Sequence, residues 1–243
     1  MRSRSLATPS RSSIILIPAH NEQATVGEVV RRIRQTGNWP VAVIDDCSTD
    51  QTATVARAAG AIVLPLPIQL GAWGATQTGL RYALACGYPT AITLDADGQH
   101  DPSSIPDLLA PLAAGWADVV IGAFPERASR NLRWAWAYFR LLTGLRIEDI
   151  TSGFRAYGAA AISILASREA SLLDYQDVGV LLILRRKGLR LAEAPVAMNP
   201  RTTGRSRIFY SWWAVSRFLL QTSVLGIARI GFTHPLAHTD DPD

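Results

Sequence analysis

Two aspartates separated by one residue, Asp95 and Asp97, follow the apolar run Ala91–Leu94, and Gln99 stands two residues further on. Oxygen ligands that do not complete a cage are typical of Mg²⁺ or Mn²⁺ held partly by the phosphates of a substrate. Such an ion stabilises the negative charge that a diphosphate leaving group gathers as its bond breaks. An isolated Asp-x-Asp is more often a solvated turn, so the surrounding elements decide between the two interpretations.

Two other apolar runs also end in polar side chains. Arg11–Pro18 leads into residues 19–22, which include a histidine and a glutamate, and Val41–Ile44 leads into Asp45 and Asp46. Short continuous apolar strands that alternate with helices indicate a parallel sheet covered on both faces. Ligands of such sheets bind beyond the carboxyl ends of the strands. The first 120 residues therefore predict a doubly wound α/β unit in which three loops converge on one crevice.

The other elements follow from hydrophobic spacing and from residues that begin or end helices. The first helix is expected to bury Val26, Val29, Val30 and Ile33 on one face. We predict further strands at Ala61–Leu64, Ala91–Leu94 and Asp118–Gly122, and helices at Ala24–Gln35, Thr49–Gly60, Thr76–Cys86 and Pro102–Ala114.

Composition and missing motifs exclude several classes of protein. Of the 243 residues, 48% are hydrophobic and 18% are charged, which is enough apolar surface for a folded core. A net charge of +4 without a basic cluster does not indicate nucleic-acid binding. Cys47 and Cys86 are too few for a disulfide framework, and glycine-rich dinucleotide or ATP loops are absent. A nucleotidyltransferase would need a basic, glycine-rich loop where this chain has the acidic segment PAHNEQAT.

Five segments carry a resemblance to a known family. Over roughly residues 12–210 the chain resembles a family 2 glycosyltransferase of the nucleotide-diphosphosugar transferase (GT-A) fold, most of all the dolichol-phosphate mannosyltransferase-like branch. The resemblance implies an α/β fold with a mostly parallel central sheet and helices on both faces. It also implies metal-dependent, inverting transfer of a hexose from a nucleotide-diphosphate sugar of the GDP-mannose or UDP-glucose type. The segments, in order, are ILIPAHNEQATVGEVV, VAVIDDCSTDQTATVA, LGAWGATQTGLRYALACGY, AITLDADGQHDPSSIPDLL and DITSGFRAYG.

The resemblance also implies roles for individual residues. The nucleoside would contact Pro18, His20, Glu22, Ile44 and Asp46. The diphosphate would be bound through Mg²⁺ or Mn²⁺ held by Asp95, Asp97 and Gln99, with Ala96 in the donor site. Arg201 and Arg207 would grip the diphosphate or an acceptor phosphate, and residues 152–155 would shape the sugar and acceptor pocket. The residues implied to act in catalysis are Asp97, Asp177 and Arg201.

The chain departs from the family pattern at three positions, and the third of them bears on the acceptor. His20 replaces the usual tyrosine, Cys47 replaces a glycine, and Gly179 stands where relatives often carry a second acid or amide after Asp177. A hydroxyl acceptor needs a general base, whereas a phosphate monoester is already ionised and needs only positioning beside cations. We therefore expect a polyprenyl-phosphate acceptor. A hydroxyl acceptor with Asp177 as base, or a non-catalytic binding protein of the same fold, stays open.

The two ends of the chain suggest where the protein works. We expect a disordered basic arm at residues 1–12, the transferase domain at 13–207, amphipathic helices at 208–232 and a disordered tail at 233–243. The aromatic-rich helices beside basic residues fit a membrane interface, or else they pack on the core. Two cysteines without a framework fit a reducing compartment. The expected location is therefore the cytoplasm, peripheral at the inner face of the cell membrane, without nucleic-acid partners.

Overall fold

The computed structural model describes residues 13–124, 147–150, 152–172 and 178–199. All of them belong to one of the two compact units of the chain, the one formed by Met1–Ala128 and Ile147–Gly204. The predictions for residues 1–12, 208–232 and 233–243 lie outside the described residues. Within the described part, no helix has the length and hydropathy needed to cross a membrane.

Strands and helices alternate through most of the described chain. The strands are β1 (Ile14–Ala19), β2 (Val41–Asp45), β3 (Ile62–Pro65), β4 (Thr90–Thr93), β5 (Val119–Ala123), β6 (Arg155–Gly158) and β7 (Leu191–Pro195). The α-helices are α1 (Val26–Thr36), α2 (Thr52–Ala58), α3 (Gly71–Ala85), α4 (Ile105–Ala113), α5 (Ala159–Leu165) and α6 (Val178–Arg186). Short 3₁₀ turns lie at Pro102–Ser104 and Glu169–Leu172.

The described strands form one seven-stranded sheet in the order β3-β2-β1-β4-β6-β5-β7. The pairs β1–β2, β2–β3, β1–β4 and β5–β7 are parallel, whereas β6 runs antiparallel to both of its neighbours. Helix α3 contacts β1, β2 and β4, and α4 contacts β5, β6 and β7. The prediction of a mostly parallel sheet with helices on both faces is therefore confirmed.

Successive residues of the central strands face opposite layers of helices. Ile15 and Ile17 pack in a core with Val29 and Ile33 of α1, as the helical spacing predicts. On the other face, α3 approaches so closely that a Cβ on Gly79 would lie 2.9 Å from Cδ1 of Ile44. Burial on both faces explains why the strands are continuously apolar instead of alternating.

Proline is tolerated in central strand β1 because of its position. Pro18 pairs with Ile44 of β2, but the pairing of β1 with β4 already ends at Leu16. The backbone N–H of Ile15 points to β2, so the alternation of a strand directs the proline nitrogen toward β4, where no ladder partner remains. The strand therefore runs past the predicted proline stop to Ala19 without losing a ladder hydrogen bond.

Helix α3 begins at Gly71, five residues before the predicted start at Thr76. Two glycines in the segment 71–74 disfavour a helix in isolation. The first turn is stabilised instead by Asp46, which accepts its N-terminal amides, and by Trp73, whose indole Nε1–H donates to the carbonyl of Ala170 at 2.9 Å. Long-range contacts therefore override the local preference.

Candidate functional site

The chain changes its direction across the sheet between β1 and β4. From β1 it moves outward through β2 and β3, and then returns through α3 to β4 on the other side of β1. Ligands of doubly wound sheets bind at such a switch point, beyond the carboxyl ends of the strands. The loops after β1, β2 and β4 all leave the sheet at this edge, so the fold brings together the three loops picked out by their polar residues.

Asn21 fastens the loop after β1 to the loop after β2. Its backbone N–H donates to Oγ of Ser48 at 3.0 Å, and its Oδ1 accepts the backbone N–H of Thr49 at 2.8 Å. Its φ of +56° is left-handed, a conformation that asparagine adopts more readily than most residues. The same residue therefore supplies both the turn and the bonds that hold the two loops together.

A second group of hydrogen bonds joins the same two loops. The backbone N–H groups of Glu22 and Gln23 donate to Oγ1 of Thr52 at 2.8 Å and to Oδ2 of Asp50 at 3.2 Å. Oδ1 of Asp50 accepts both the backbone N–H and the hydroxyl of Thr52. Burial acts to raise the pKa of Asp50, but its hydrogen bonds outweigh burial and hold that pKa below its usual value. The carboxylate is therefore ionised at neutral pH and holds Thr52, whose hydroxyl oxygen accepts the N–H of Glu22.

Asp46 caps helix α3. Its carboxylate is buried, and its two oxygens accept the backbone N–H groups of Leu70 at 2.7 Å and Gly71 at 2.9 Å. A negative charge at a helix N-terminus is stabilised by unpaired amides and by the helix dipole. The family resemblance places Asp46 at the nucleoside, and each carboxylate oxygen can still accept a second hydrogen bond. The contacts seen here fix α3 to the loop after β2.

The hydrogen bonds of His20 fix its tautomer. Its Nδ1 lies 2.8 Å from the backbone carbonyl of Asp46, which can only accept, so Nδ1 carries a proton. Its Nε2 lies 3.2 Å from Nδ2 of Asn21, whose amide orientation is set by the N–H that its oxygen accepts, so Nε2 is the acceptor. These bonds engage both ring nitrogens of the half-buried side chain. The imidazole could therefore contact a nucleobase through the face of its ring.

The loop after β4 leaves carboxylate oxygen accessible. The side chain of Asp95 is 46% exposed, and its Oδ2 lies 3.7 Å from Nδ1 of the buried His100. Asp97 is half-buried, and its Oδ1 accepts the backbone N–H of Gln99 at 3.0 Å. Ala96 between the two aspartates is buried. The two carboxylates thus follow the strand adjacent to β1 at the same edge of the sheet.

The donor set at this loop fits a hard divalent cation. Asp95, Asp97 and Gln99 offer only oxygen among their metal-binding side-chain atoms, which suits Mg²⁺ or Mn²⁺. Among the residues that the structure describes, no group of three or more His, Cys, Asp or Glu side chains is placed to hold a metal. The side-chain oxygens of Asp95, Asp97 and Gln99 would fill only part of the coordination shell of such an ion.

The segment after β7 docks on this same loop. Met198 forms an antiparallel bridge with His100, and the backbone N–H of Asn199 donates to the carbonyl of Gln99 at 2.7 Å. Asn199, the last described residue of this segment, is therefore held beside Gln99. The other predicted residues of this region, Arg201 and Arg207, lie outside the described residues, as does Asp177.

Residues 147–150 and 152–154 precede β6, and Gly153 among them lies beside Asp95. Oε1 of Glu193 accepts the backbone N–H groups of Glu148 at 2.8 Å and Asp149 at 2.9 Å. Burial raises the pKa of Glu193 above its usual value. The wholly buried Arg155 donates to the carbonyls of Ile150 and Ser152 at 2.8 and 2.7 Å. Within the pocket-shaping segment implied by the resemblance, the contacts of Arg155 hold the loop itself.

The residues that join these loops by hydrogen bonds are not among the predicted site residues. Asn21, Ser48 and Asp50 are short polar side chains of the kind that bond to nearby backbone in turns and helix caps. Their occurrence directly after two predicted strands is a signal that could have identified them. The close approach of Gly153 to Asp95 has no comparable signal, since the two residues meet only through the sheet.

Comparison with known proteins agrees with this geometry. The family model described as "Glycosyl transferase family 2" matches residues 14–170. The undecaprenyl-phosphate mannosyltransferase of Micrococcus luteus is 32% identical over 213 residues, covering 80% of this chain and 86% of the relative. The polyprenol monophosphomannose synthase of Mycolicibacterium smegmatis is 28% identical and covers 82% of both chains.

A solved structure shares the fold. Glucosyl-3-phosphoglycerate synthase from Mycobacterium tuberculosis, in complex with Mn²⁺, uridine diphosphate and phosphoglyceric acid, has a TM-score of 0.68 and 23% identity, covering 89% of this chain and 78% of that one. The GT-A fold and the family expected from the five segments are thereby confirmed. The chain belongs to glycosyl transferase family 2, in its dolichol-phosphate mannosyltransferase-like branch, and is a glycosyltransferase.

Proposed function

We propose that this enzyme transfers a hexose from a nucleotide-diphosphate sugar to a polyprenyl phosphate, with inversion at the sugar carbon. The main support for the proposal is that two kinds of loop meet at the switch point between β1 and β4. Tightly fastened loops follow β1 and β2, and an accessible Asp-x-Asp follows the adjacent strand β4. The relatives at 32% and 28% identity are named undecaprenyl-phosphate mannosyltransferase and polyprenol monophosphomannose synthase.

The nucleoside would lie over the ends of β1 and β2. Pro18 and Ile44 are register partners there, and Glu22 is held beside them by Thr52. His20, with both ring nitrogens engaged, would stack its ring face on the base, and Asp46 would accept a hydrogen bond from base or ribose. A fastened pocket of this kind lowers the entropic cost of binding because its side chains are already ordered.

The diphosphate would extend from this pocket toward Asp95 and Asp97. Those carboxylates, with Gln99, would hold Mg²⁺ or Mn²⁺, which when bound supplies positive charge for the departing nucleoside diphosphate. Arg201 and Arg207 follow the docked segment that ends at Asn199. Their permanently charged guanidinium groups suit a two-point grip on phosphate, so they would position the diphosphate or the acceptor.

A phosphate acceptor requires little acid–base chemistry from the chain. Its oxygen is ionised at neutral pH, so attack on the sugar carbon needs alignment and neighbouring cations, not proton removal. The reaction is a single displacement: the bond from the sugar carbon to the acceptor oxygen forms as the bond to the diphosphate breaks. We place this reaction at the cytoplasmic face of the membrane, with residues 208–232 at the interface.

Matched lipid acceptors test the proposal. The full chain is incubated with Mn²⁺ and radiolabelled sugar nucleotides, GDP-mannose and UDP-glucose first, on vesicles that contain a polyprenyl phosphate or the corresponding polyprenol. We expect label in the lipid phase only with the phosphate, and an inverted anomeric configuration by NMR. Transfer to the polyprenol or to free saccharides instead would support the hydroxyl-acceptor alternative, and absence of transfer from every donor would contradict catalysis.

A further inference from the structure

Gly153 lies directly against the carboxylate of Asp95. A Cβ added to Gly153 would come 2.7 Å from Oδ1, 2.9 Å from Oδ2 and 3.1 Å from Cγ of that aspartate. Carbon and oxygen atoms that are not bonded do not approach so closely. The backbone of Gly153 is not among the glycines with positive φ, so an alanine would meet no backbone penalty there. An alanine would therefore be incompatible only with the present position of the Asp95 carboxylate.

Hydrogen bonds on both sides of Gly153 hold its loop in place. The hydroxyl of Thr93, at the end of β4, donates to the carbonyl of Gly153 at 2.7 Å. The guanidinium of the wholly buried Arg155 binds the carbonyls of Ile150 and Ser152, just before Gly153. On the following side, the backbone N–H of Gly122 donates to the carbonyl of Phe154 at 2.8 Å. Strands β4, β5 and β6 therefore hold this loop through their own hydrogen bonds.

The aspartate, by contrast, has room to move. Its side chain is 46% exposed, and its other contact in this direction is with Nδ1 of His100 at 3.7 Å. His100 is itself buried and lies against the ring of Phe154, with ring centroids 5.1 Å apart. The carboxylate of Asp95 is therefore confined on one side by the buried imidazole and on the other by the backbone of Gly153. An added methyl group would displace the carboxylate rather than the loop.

We propose that Gly153 is a positioning residue that sets the orientation of the Asp95 carboxylate for the divalent cation, an inference that rests on the metal role in the proposed function. Ligands must be held within about half an ångström of their working geometry by the residues around them. A methyl group at Gly153 would turn the carboxylate away by more than that. The change would weaken cation binding while leaving the nucleoside-side loops untouched.

Binding of Mn²⁺ tests this inference without relying on turnover. Free Mn²⁺ is measured by its EPR signal during titration of the full chain, with UDP or GDP present at saturation. We expect the Gly153→Ala variant to bind Mn²⁺ at least tenfold more weakly than the parent, and the Asp95→Asn variant to lose binding further. Metal-free affinity for the nucleoside diphosphate should be the same in parent and Gly153→Ala protein.

Two further variants control for effects on folding. Gly158→Ala makes the same change on β6, away from Asp95, and should bind Mn²⁺ like the parent. Thr93→Val removes the hydroxyl bond to Gly153 with little change of shape, and should weaken Mn²⁺ binding severalfold even if Gly153→Ala does not fold. Near-UV circular dichroism verifies the fold of each variant.

The outcomes separate the inference from the proposed function. Parent-like Mn²⁺ affinity in folded Gly153→Ala protein, beside a clear loss in Asp95→Asn, would overturn the role of Gly153 and leave the metal site standing. If Gly153→Ala does not fold, parent-like affinity in Thr93→Val would overturn it in the same way. Equal Mn²⁺ binding by parent and Asp95→Asn protein would overturn the metal role itself, and the inference with it.

Discussion

The side chains of Asp46 and Asp95, on the proposed nucleoside side and the proposed metal side of the β1–β4 crevice, make different contacts. On the nucleoside side, Asn21, Asp46 and Asp50 direct their side-chain oxygens at backbone amides of the neighbouring loops. On the other side, the carboxylate of Asp95 is 46% exposed and touches a glycine and an imidazole. The same residue type accepts hydrogen bonds from neighbouring loops in one place and stays partly exposed in another.

The proposed function supplies a physical reason for this difference. A nucleoside is large and mostly uncharged, and a rigid pocket binds it at low entropic cost. A divalent cation instead needs charged oxygens that are not already satisfied by the protein. The first side should therefore respond to substitution mainly in stability and donor affinity, and the second mainly in turnover.

The largest expected effect is on turnover, at Asp97. The Asp97→Asn variant keeps an oxygen that can accept the N–H of Gln99 but loses the charge that a cation needs. We expect kcat to fall by about two orders of magnitude or more, because several kcal/mol of transition-state stabilisation depend on the metal. Initial rates with saturating Mn²⁺ measure the loss.

The same variant also tests the comparison through its stability. The thermal midpoint of Asp97→Asn should change by only a degree or two, because substitutions away from buried networks typically cost about 0.5 kcal/mol or less. A large drop in the midpoint would mean that the metal-side loop is fastened as firmly as the nucleoside side, which would contradict the contrast.

A moderate effect on stability is expected at Asp46. In Asp46→Asn, the new NH₂ group would point at the backbone N–H of Leu70 or Gly71. Two donors would then face each other, and one of the two capping hydrogen bonds would be lost. We expect a loss of about 2 kcal/mol, and a fall in the thermal midpoint of roughly 4–8 °C. Differential scanning calorimetry measures both.

Asp107 provides the matched control for that substitution. It is exposed in the first turn of α4, so Asp107→Asn also removes a negative charge near a helix N-terminus. Its expected cost is about 0.5 kcal/mol or less, from the helix dipole alone. Equal losses at the two positions would show that burial and direct capping bonds at Asp46 add nothing.

The smallest expected effect is the difference in stability between two substitutions of Asn21. It separates the cost of backbone strain from the cost of the lost hydrogen bonds. Asn21→Gly keeps the left-handed conformation but loses the bonds to Thr49 and His20, at a cost of about 1 kcal/mol. Asn21→Ala loses the same bonds and also strains the backbone, which adds roughly 1 kcal/mol. Urea unfolding measures the difference, and KM for the donor should rise in both variants. Equal stability of the two variants would show that the turn is not strained.

Local pattern predicted much of the fold. The continuous apolar runs at β1, β2 and β4 indicated buried parallel strands, because only a sheet covered on both faces keeps every residue dry. The early start of α3 was not predictable in the same way. Its glycine-containing first turn is stabilised by Asp46 and by the bond from Trp73 to Ala170, which lie far away in sequence.

The candidate site, like the fold, was predictable from local pattern only in part. The type and spacing of Asp95, Asp97 and Gln99 indicated an oxygen-ligand site, and their place at a strand end indicated the edge of the sheet where it lies. Spacing did not reveal that Asp46 holds a helix while Asp95 stays accessible. Both are aspartates directly beyond a strand, and their difference comes from which loop packs beside each.

By itself, then, the sequence indicated strands β1 to β5 but not β6 and β7, and it indicated which residue types follow β1, β2 and β4, because hydrophobic periodicity and side-chain chemistry are local properties. Only the tertiary structure decided which carboxylates accept hydrogen bonds from neighbouring loops and which stay accessible to a ligand. That decision depends on contacts such as those of Asp46 with Leu70 and of Gly153 with Asp95. Those pairs are brought together by the order of strands in the sheet, which no local pattern encodes.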